Sequence, residues 1–184
     1  MGFGKLKAKG QIEVAKTDGT KQTVEAKHII IATGARSREL PSMKLDGKKI
    51  IGYREAMVLP QQPKSMIVVG SGAIGVEFAY FYNSMGTKIT IVEFLPRVVP
   101  VEDEEVSKEL EKIFKKYGME VMTSSEVTSV DTSGNGVKAK VKTPNGEVTL
   151  EAEVLLSAVG IAANIEGIGL EELGVKTEKG KIVV

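Results

Sequence analysis

Residues 66–93, MIVVGSGAIGVEFAYFYNSMGTKITIVE, carry the strongest structural signal in this sequence. A short apolar run, Met66–Val69, is typical of a buried β-strand and leads directly into a glycine-rich turn. A helical pattern continues to about Met85, Gly86 ends it, and a second apolar strand finishes at Glu93. Strand, turn, helix and strand in this order predict a βαβ unit with two parallel strands.

The glycines of the turn have the spacing of a dinucleotide-binding loop. Gly70 allows a tight bend after the strand, Gly72 lets a pyrophosphate approach the backbone, and Gly75 lets the helix pack closely on the sheet. The phosphates would lie on unpaired N–H groups at the positive end of the helix dipole. A turn that serves only close packing is the alternative. We predict NAD contacts from Gly70, Ser71, Gly72, Ala73, Ile74 and Gly75.

Glu93 follows the turn at about the ~20-residue distance at which a Rossmann strand presents an acid to the adenosine ribose. A carboxylate there accepts a hydrogen bond from the ribose 2′-OH and repels a 2′-phosphate, which favours NAD over NADP. The alternative is an ordinary surface acid at a strand end. We therefore predict that Glu93 binds the sugar of NAD.

The composition excludes several classes of function. The chain has 184 residues, 42% of them apolar, and its 25 basic and 24 acidic residues are interspersed, for a net charge of +1. This balance gives no basic surface for nucleic acid or for a membrane. No apolar run reaches the ~18 residues of a membrane-spanning helix. We expect a cytoplasmic protein without a nucleic-acid or membrane partner.

The chain has little catalytic equipment of its own. It has no cysteine and one histidine, so disulfides, thiol redox centres and thiolate metal sites are absent from these residues. Neither a Ser–His nor a Cys–His nucleophile pair is possible in a recognisable pattern, and no metal site is predicted. Cofactors would have to supply any redox chemistry.

The remaining sequence predicts more strands and one amphipathic helix. A hairpin turn is expected at Asp18–Gly19, and the continuous apolar run 28–35, HIIIATGA, predicts a strand buried on both faces of a parallel sheet. Residues 102–117 predict a helix whose inner face carries Val106, Leu110, Ile113, Phe114 and Tyr117.

Beyond a third parallel strand at 119–123 the pattern changes to alternation. Three alternating runs between residues 127 and 150, separated by glycine-containing turns, predict an antiparallel three-stranded meander. A further buried strand covers 154–160. The predicted fold is α/β: a Rossmann-like parallel sheet with helices and an inserted antiparallel β-meander.

Five stretches of the chain carry a family resemblance: GFGK (2–5), HIIIATGA (28–35), PKSMIVVGSGAIGVEFA (63–79), MGTKITIVEFLPRVVP (85–100) and LLSAVGIAANIEGIGLEELGV (155–175). Together they resemble the pyridine nucleotide-disulfide oxidoreductases, and among them most closely the dihydrolipoamide dehydrogenases. Family members also carry an earlier FAD fingerprint, a redox-active cysteine pair, a later flavin motif and an interface domain with a catalytic base, which this sequence lacks. The resemblance implies the tail of an FAD-binding domain at 1–40, an NAD-binding domain at 41–160 and the start of a return segment at 161–184.

The resemblance also implies roles for single residues. Glu77 would support catalysis by pairing with a lysine of the missing flavin domain. Val127 would lie against the adenine end of NAD, and Gly160 would offer its backbone near the nicotinamide half. Contacts to FAD in the intact protein are implied for Gly4, Thr33, Gly34 and Ala35. One departure is the segment 160–164, GIAAN, where many relatives have Gly-Arg-x-Pro-Asn.

The implied parent enzyme oxidises dihydrolipoamide and passes electrons through a cysteine pair and FAD to NAD⁺. It would be a homodimer that serves a 2-oxo acid dehydrogenase complex, with the FAD and interface domains as partners of this chain. The chain alone is expected to be inactive. The alternatives are part of a glutathione- or mercuric-reductase-like enzyme that uses NAD(P)H, and a stand-alone NAD(H)-binding module without turnover.

Overall fold

The computed structural model describes all 184 residues, which form two compact units. The sheet unit is Ser37–Gly160, and the split unit combines Met1–Arg36 with Ile161–Val184. The strands are β1 Gly2–Ala8, β2 Gln11–Lys16, β3 Lys21–Glu25, β4 Ala35–Ser37, β5 Ile50–Ile51, β6 Ser65–Val69, β7 Lys88–Val92, β8 Glu120–Met122, β9 Glu126–Asp131, β10 Val137–Thr143, β11 Gly146–Ala152, β12 Val154–Ser157, β13 Ile161–Ala163, β14 Thr177–Glu178 and β15 Lys181–Ile182. The helices are α1 Tyr53–Ala56, α2 Ala73–Ser84 and α3 Glu104–Lys116, and a 3-10 turn covers Glu171–Leu173.

A five-stranded parallel sheet forms the centre of the sheet unit. Its strand order is β5-β12-β6-β7-β8, and all four pairings are parallel. Val68 in β6 is paired with Leu156 in β12 on one side and with Ile91 in β7 on the other. The predicted βαβ arrangement of β6, α2 and β7 is therefore present. Strand β6 lies between β7, which follows it along the chain, and β12, which comes much later.

The sheet is buried on both faces, which explains the continuous apolar runs of its strands. Successive side chains of a strand point to opposite faces. Met66 and Val68 therefore pack with residues of α2 and α3, whereas Ile67 and Val69 pack with the antiparallel meander β9-β10-β11. The result is three layers: helices, parallel sheet and meander. This confirms the predicted fold class.

The helix α3 is confirmed, but the prediction of its inner face is only partly right. Phe114 is buried and Leu110 is partly buried against the core. The exposed fractions are 55% for Val106, 36% for Ile113 and 57% for Tyr117. The reason is position, since α3 packs on the edge strand β8, where a helix has sheet on one side only. No helix could cross a lipid bilayer, because the longest, α3, has 13 residues.

The split unit holds an antiparallel sheet, β1-β2-β3, and a small β14–β15 hairpin. The predicted turn at Asp18–Gly19 is confirmed: Gly19 has φ +84° and the Asp18 carboxylate accepts from the Thr20 N–H at 2.9 Å. The prediction of a buried strand at 28–35 is wrong. Residues 26–34 form no strand and Ile30 is 91% exposed. A parallel strand needs neighbours to pair its backbone, and no other strand of the chain pairs with this run.

Candidate functional site

A cleft of about 680 Å³ opens where β6, β7 and β12 end. Parallel α/β sheets bind ligands at the carboxyl ends of their strands, where neighbouring connections diverge to opposite sides. We call it the glycine-turn cleft. It is lined by Arg38, Leu40, Pro41, Ser42, Val69, Gly70, Ser71, Gly72, Val92, Glu93, Phe94, Leu95, Ser125, Glu126, Val127, Ala158, Val159 and Gly160.

The three glycines of the turn do different work. Gly70 has φ +95°, and its N–H donates to the Val92 carbonyl at 2.8 Å, so the chain bends tightly beside β7. A Cβ on Gly75 would collide with the carbonyl oxygen of Gly70. Gly72 differs from both, because a Cβ there would meet no atom within 4 Å. Close packing explains Gly70 and Gly75, whereas the open space beside Gly72 is what the approach of a pyrophosphate requires.

Helix α2 begins without a capping side chain. Gly72 is the N-cap residue, no side chain accepts a hydrogen bond from the first turn, and that turn contains no acidic residue. The first N–H groups of a helix have no partner within the helix. The amides of Ala73, Ile74 and Gly75 are therefore available to an anion, and the helix dipole favours one at this end.

Glu93 lies beside the glycine turn and is held by three hydrogen bonds. Its Oε2 accepts from the Ser71 N–H and from the Ser71 hydroxyl, both at 2.7 Å. Its Oε1 accepts from the Leu95 N–H at 2.8 Å. Only 6% of Glu93 is exposed, so it is no ordinary surface acid. The carboxylate connects the end of β7 to the turn and faces the cleft.

Val127 and Gly160, the other two residues predicted for NAD, also line the cleft. Val127 is buried at the start of β9, and Gly160 follows β12 with φ +109° and open space around its Cα. The Gly160 carbonyl accepts from the Arg38 N–H at 2.9 Å. Arg38 is the single basic residue among the lining side chains, where Glu93 and Glu126 are the acids. The sequence analysis did not single out Arg38.

Other predicted residues lie elsewhere. Glu77 is exposed on α2 and lines a separate groove of about 280 Å³ with Met57, Phe78 and Phe81, among others. The four residues predicted for FAD belong to the split unit. Thr33 and Gly34 are exposed, and their carbonyls accept from the side chain and backbone of Asn164 at 3.2 and 2.9 Å. Gly4 is exposed in β1 and Ala35 begins β4.

The contact between Ser71 and Glu93 was not predicted from the sequence. Both residues were candidates, but for separate contacts to the cofactor. The signal was a hydroxyl residue between the first two glycines and an acid about 20 residues later, which a βαβ unit brings to one edge of its sheet. Spacing alone does not show which way the two side chains point.

Comparison with protein families gives one match over nearly the whole chain. Residues 2–184 match the family described as pyridine nucleotide-disulphide oxidoreductase. The chain belongs to this family. Its members are enzymes that depend on flavin and pyridine nucleotide.

Several curated relatives are named dihydrolipoyl dehydrogenase. The protein of Zymomonas mobilis is 44% identical over all 184 residues, which are 40% of its own length. That of Rhizobium etli is 50% identical over 162 residues, 88% of this chain and 34% of the relative. The chain thus spans about 40% or less of the length of these enzymes.

Solved structures agree on the fold. LpdA from Mycobacterium tuberculosis superposes with a TM-score of 0.84 at 33% identity, over 97% of this chain and 40% of that one. A copper(II) complex of the HOCl-induced flavoprotein disulfide reductase RclA from Escherichia coli also gives a TM-score of 0.84, at 23% identity, over 100% of this chain and 41% of its own. At that identity the second match concerns the fold alone.

Proposed function

We propose that residues 41–160 are the NAD-binding domain of an FAD-dependent dihydrolipoamide dehydrogenase. The whole enzyme would convert dihydrolipoamide and NAD⁺ to lipoamide and NADH, with FAD and a redox disulfide outside this chain. It would be a cytoplasmic homodimer that serves a 2-oxo acid dehydrogenase complex. The names and identities of the curated relatives support this choice of reaction.

The observation that carries the proposal is the glycine-turn cleft itself. It combines an uncapped helix end, a glycine with open space and a buried carboxylate that lines the same cavity. A pyrophosphate would accept hydrogen bonds from the available amides of residues 73–75 at the start of α2. Glu93 would accept from the adenosine ribose, Val127 would contact adenine, and the Gly160 backbone would lie near the nicotinamide half.

No cysteine, histidine or lysine lines the cleft. NAD, when bound, supplies the hydride acceptor. The residues of this chain bind it, orient it and select its sugar. Under the proposal Glu77 acts outside the cleft, on the exposed face of α2, towards the flavin domain. FAD would contact Gly4 and residues 33–35 only in the intact protein.

Titration calorimetry of the 184-residue chain with NADH and NADPH tests the proposal. We expect NADH to bind and NADPH to bind more weakly. A hydrogen bond to a charged group contributes about 1.5–3 kcal/mol, so Glu93→Ala should weaken NADH binding by about tenfold to a hundredfold. Glu102→Ala, at an exposed acid outside the cleft, is the matched control and should leave the Kd unchanged.

An unchanged Kd for Glu93→Ala would reject the role of Glu93, and no NADH binding at all would reject the function. The purified chain should also be colourless and show no diaphorase activity. One equivalent of bound flavin would contradict the proposal that this chain is a fragment and that FAD binds only in the intact protein.

A further inference from the structure

Ser71 lies in a glycine-rich turn, but it is buried and held by three hydrogen bonds. It is fully buried, with 0% exposure. Its N–H and its hydroxyl both donate to Glu93 Oε2, and its carbonyl accepts from the Val99 N–H at 2.9 Å. The residue thus has contacts with both the end of β7 and the segment that follows it. A glycine at this position would keep the contacts of the N–H and the carbonyl and would lose the hydroxyl.

The lone pairs of Glu93 limit what it can offer to a ligand. Each carboxylate oxygen has about two acceptor sites. Both sites of Oε2 are used by Ser71, and one site of Oε1 is used by the Leu95 N–H. One site on Oε1 remains. A ligand in the cleft therefore meets a charged carboxylate with a single free acceptor in a fixed orientation.

We propose that Ser71 is a positioning residue that selects the sugar of the dinucleotide through Glu93. By occupying Oε2, its hydroxyl turns the last free acceptor site of Oε1 towards one ribose hydroxyl, the 2′-OH. Orientation fixed before binding lowers the entropy lost on binding. The same rigidity keeps the negative charge from turning away from a 2′-phosphate. This inference rests on the proposed NAD-binding function and names the residue on which its selectivity depends.

The test compares Ser71→Ala with the unmodified chain against two ligands, NADH and its 2′-deoxyadenosine analogue, by calorimetry. The unmodified chain should prefer NADH by about tenfold or more, since the analogue lacks the hydroxyl from which Glu93 would accept a hydrogen bond. Ser71→Ala should lower that preference by about threefold to tenfold, through weaker NADH binding, with the Kd of the analogue unchanged. Ser71→Gly removes the hydroxyl without a Cβ and should give the same result if the alanine variant does not fold.

Ser157→Ala is the matched control. Ser157 is also a buried serine of the sheet unit, with 3% exposure, but its hydroxyl has no hydrogen-bond partner and it does not line the cleft. The preference for NADH should not change in this variant.

The outcomes separate this inference from the function on which it rests. Equal loss of affinity for both ligands in Ser71→Ala would make Ser71 a structural residue only and overturn the inference, as would no loss for either. If the unmodified chain binds both ligands equally, Glu93 does not read the 2′-OH, and the inference fails while NAD binding stands. If it binds neither, the proposed function fails first.

Discussion

The two long helices of the sheet unit begin in opposite ways. At α3, the Asp103 carboxylate accepts from the Glu105 N–H at 2.8 Å, and the first turn is acidic. At α2, the cap residue is Gly72, no side chain accepts from the first turn, and no acid lies in it. The first end is completed by the chain's own side chains, whereas the second leaves its amides and its positive dipole to a ligand. The residue at the N-cap decides which purpose a helix end serves.

The largest effect is expected from giving α2 the start that α3 has. Gly72 has φ −67° and ψ −178°, which any residue adopts, and the space around it is open. In Gly72→Asp the carboxylate should cap the helix and add about a few tenths of a kcal/mol to the free energy of unfolding, since glycine is itself a fair cap residue. It should also occupy the pyrophosphate position and repel the phosphates. We expect NADH affinity to fall by at least about a hundredfold, measured by calorimetry, because the charge both competes for and repels the phosphate.

Gly72→Asn provides the comparison for that experiment, because it caps the helix without a charge. Its loss of affinity should be smaller than that of Gly72→Asp. NADH binding by Gly72→Asp with the affinity of the unmodified chain would mean that the end of α2 does not receive the phosphates.

A second substitution in the same turn should affect stability instead. The Cβ of Gly75→Ala would collide with the backbone of Gly70, so the helix must shift away from the sheet. Overpacking of this kind costs about 1–3 kcal/mol, which thermal unfolding would show as a lower Tm. Gly134→Ala, where a Cβ meets nothing within 4 Å, is the control and should unfold at nearly the original temperature. Similar Tm values for both variants would contradict the packing role of Gly75.

At α3 the cap should matter for stability and not for binding. Asp103→Ala removes the acceptor of the Glu105 N–H and should lower the free energy of unfolding by about 1 kcal/mol in denaturant titrations. Asp103→Ser should restore most of it, because serine is also a good cap residue. The Kd for NADH should be unchanged in both variants. Weaker NADH binding would contradict the conclusion that the start of α3 contributes to stability and not to ligand binding.

The smallest expected effect is on the pH dependence of stability. It comes from Asp46, a carboxylate that accepts hydrogen bonds from backbone N–H groups outside a helix. Asp46 accepts from the N–H groups of Lys48, Lys49 and Ile50 at 2.8–3.0 Å. Burial alone would raise the pKa of Asp46, but these amides together hold it below its ordinary value. Such a group stabilises the fold above its unfolded pKa, and the contribution is lost as the pH falls through the folded pKa.

When the pH is lowered from about 5 to the pH at which the protein unfolds, the free energy of unfolding should therefore fall less in Asp46→Asn than in the unmodified chain. The difference should stay under about 1 kcal/mol, because solvent screens this exposed group. Denaturant titrations at several pH values would measure it, and parallel curves for the two proteins would contradict the prediction.

The sequence predicted β6, α2, β7 and the meander well because local patterns and tertiary packing agree there. Alternation along β6 is masked by burial on both faces, but its length and the glycines after it still identify a strand. Within the predicted strand 28–35, residues 28–34 show the limit of this reasoning, since the same apolar composition forms no strand where no neighbour pairs with it. Val106 shows another: periodicity identifies a helix, but the width of the surface beneath it decides which residues are buried.

The sequence was sufficient to predict which backbone segment and which acidic residue form the candidate cleft. Glycine spacing and the acid after β7 indicate a position in the fold, and both line one cleft. The pairing of Ser71 with Glu93 depends on side-chain rotamers and on the single hydrogen-bond pattern that satisfies a buried carboxylate. No pattern in the sequence contains that information.

The order of strands has a consequence for how the chain folds. Strand β12 is the last of the parallel sheet in the sequence, yet it lies between β5 and β6. Its insertion must close a loop of about a hundred residues against β5, and such non-local pairing is slow. During synthesis, β5 and β6 must therefore wait with open edges until residues 154–157 leave the ribosome, and a chain that stops before them would expose both edges to aggregation.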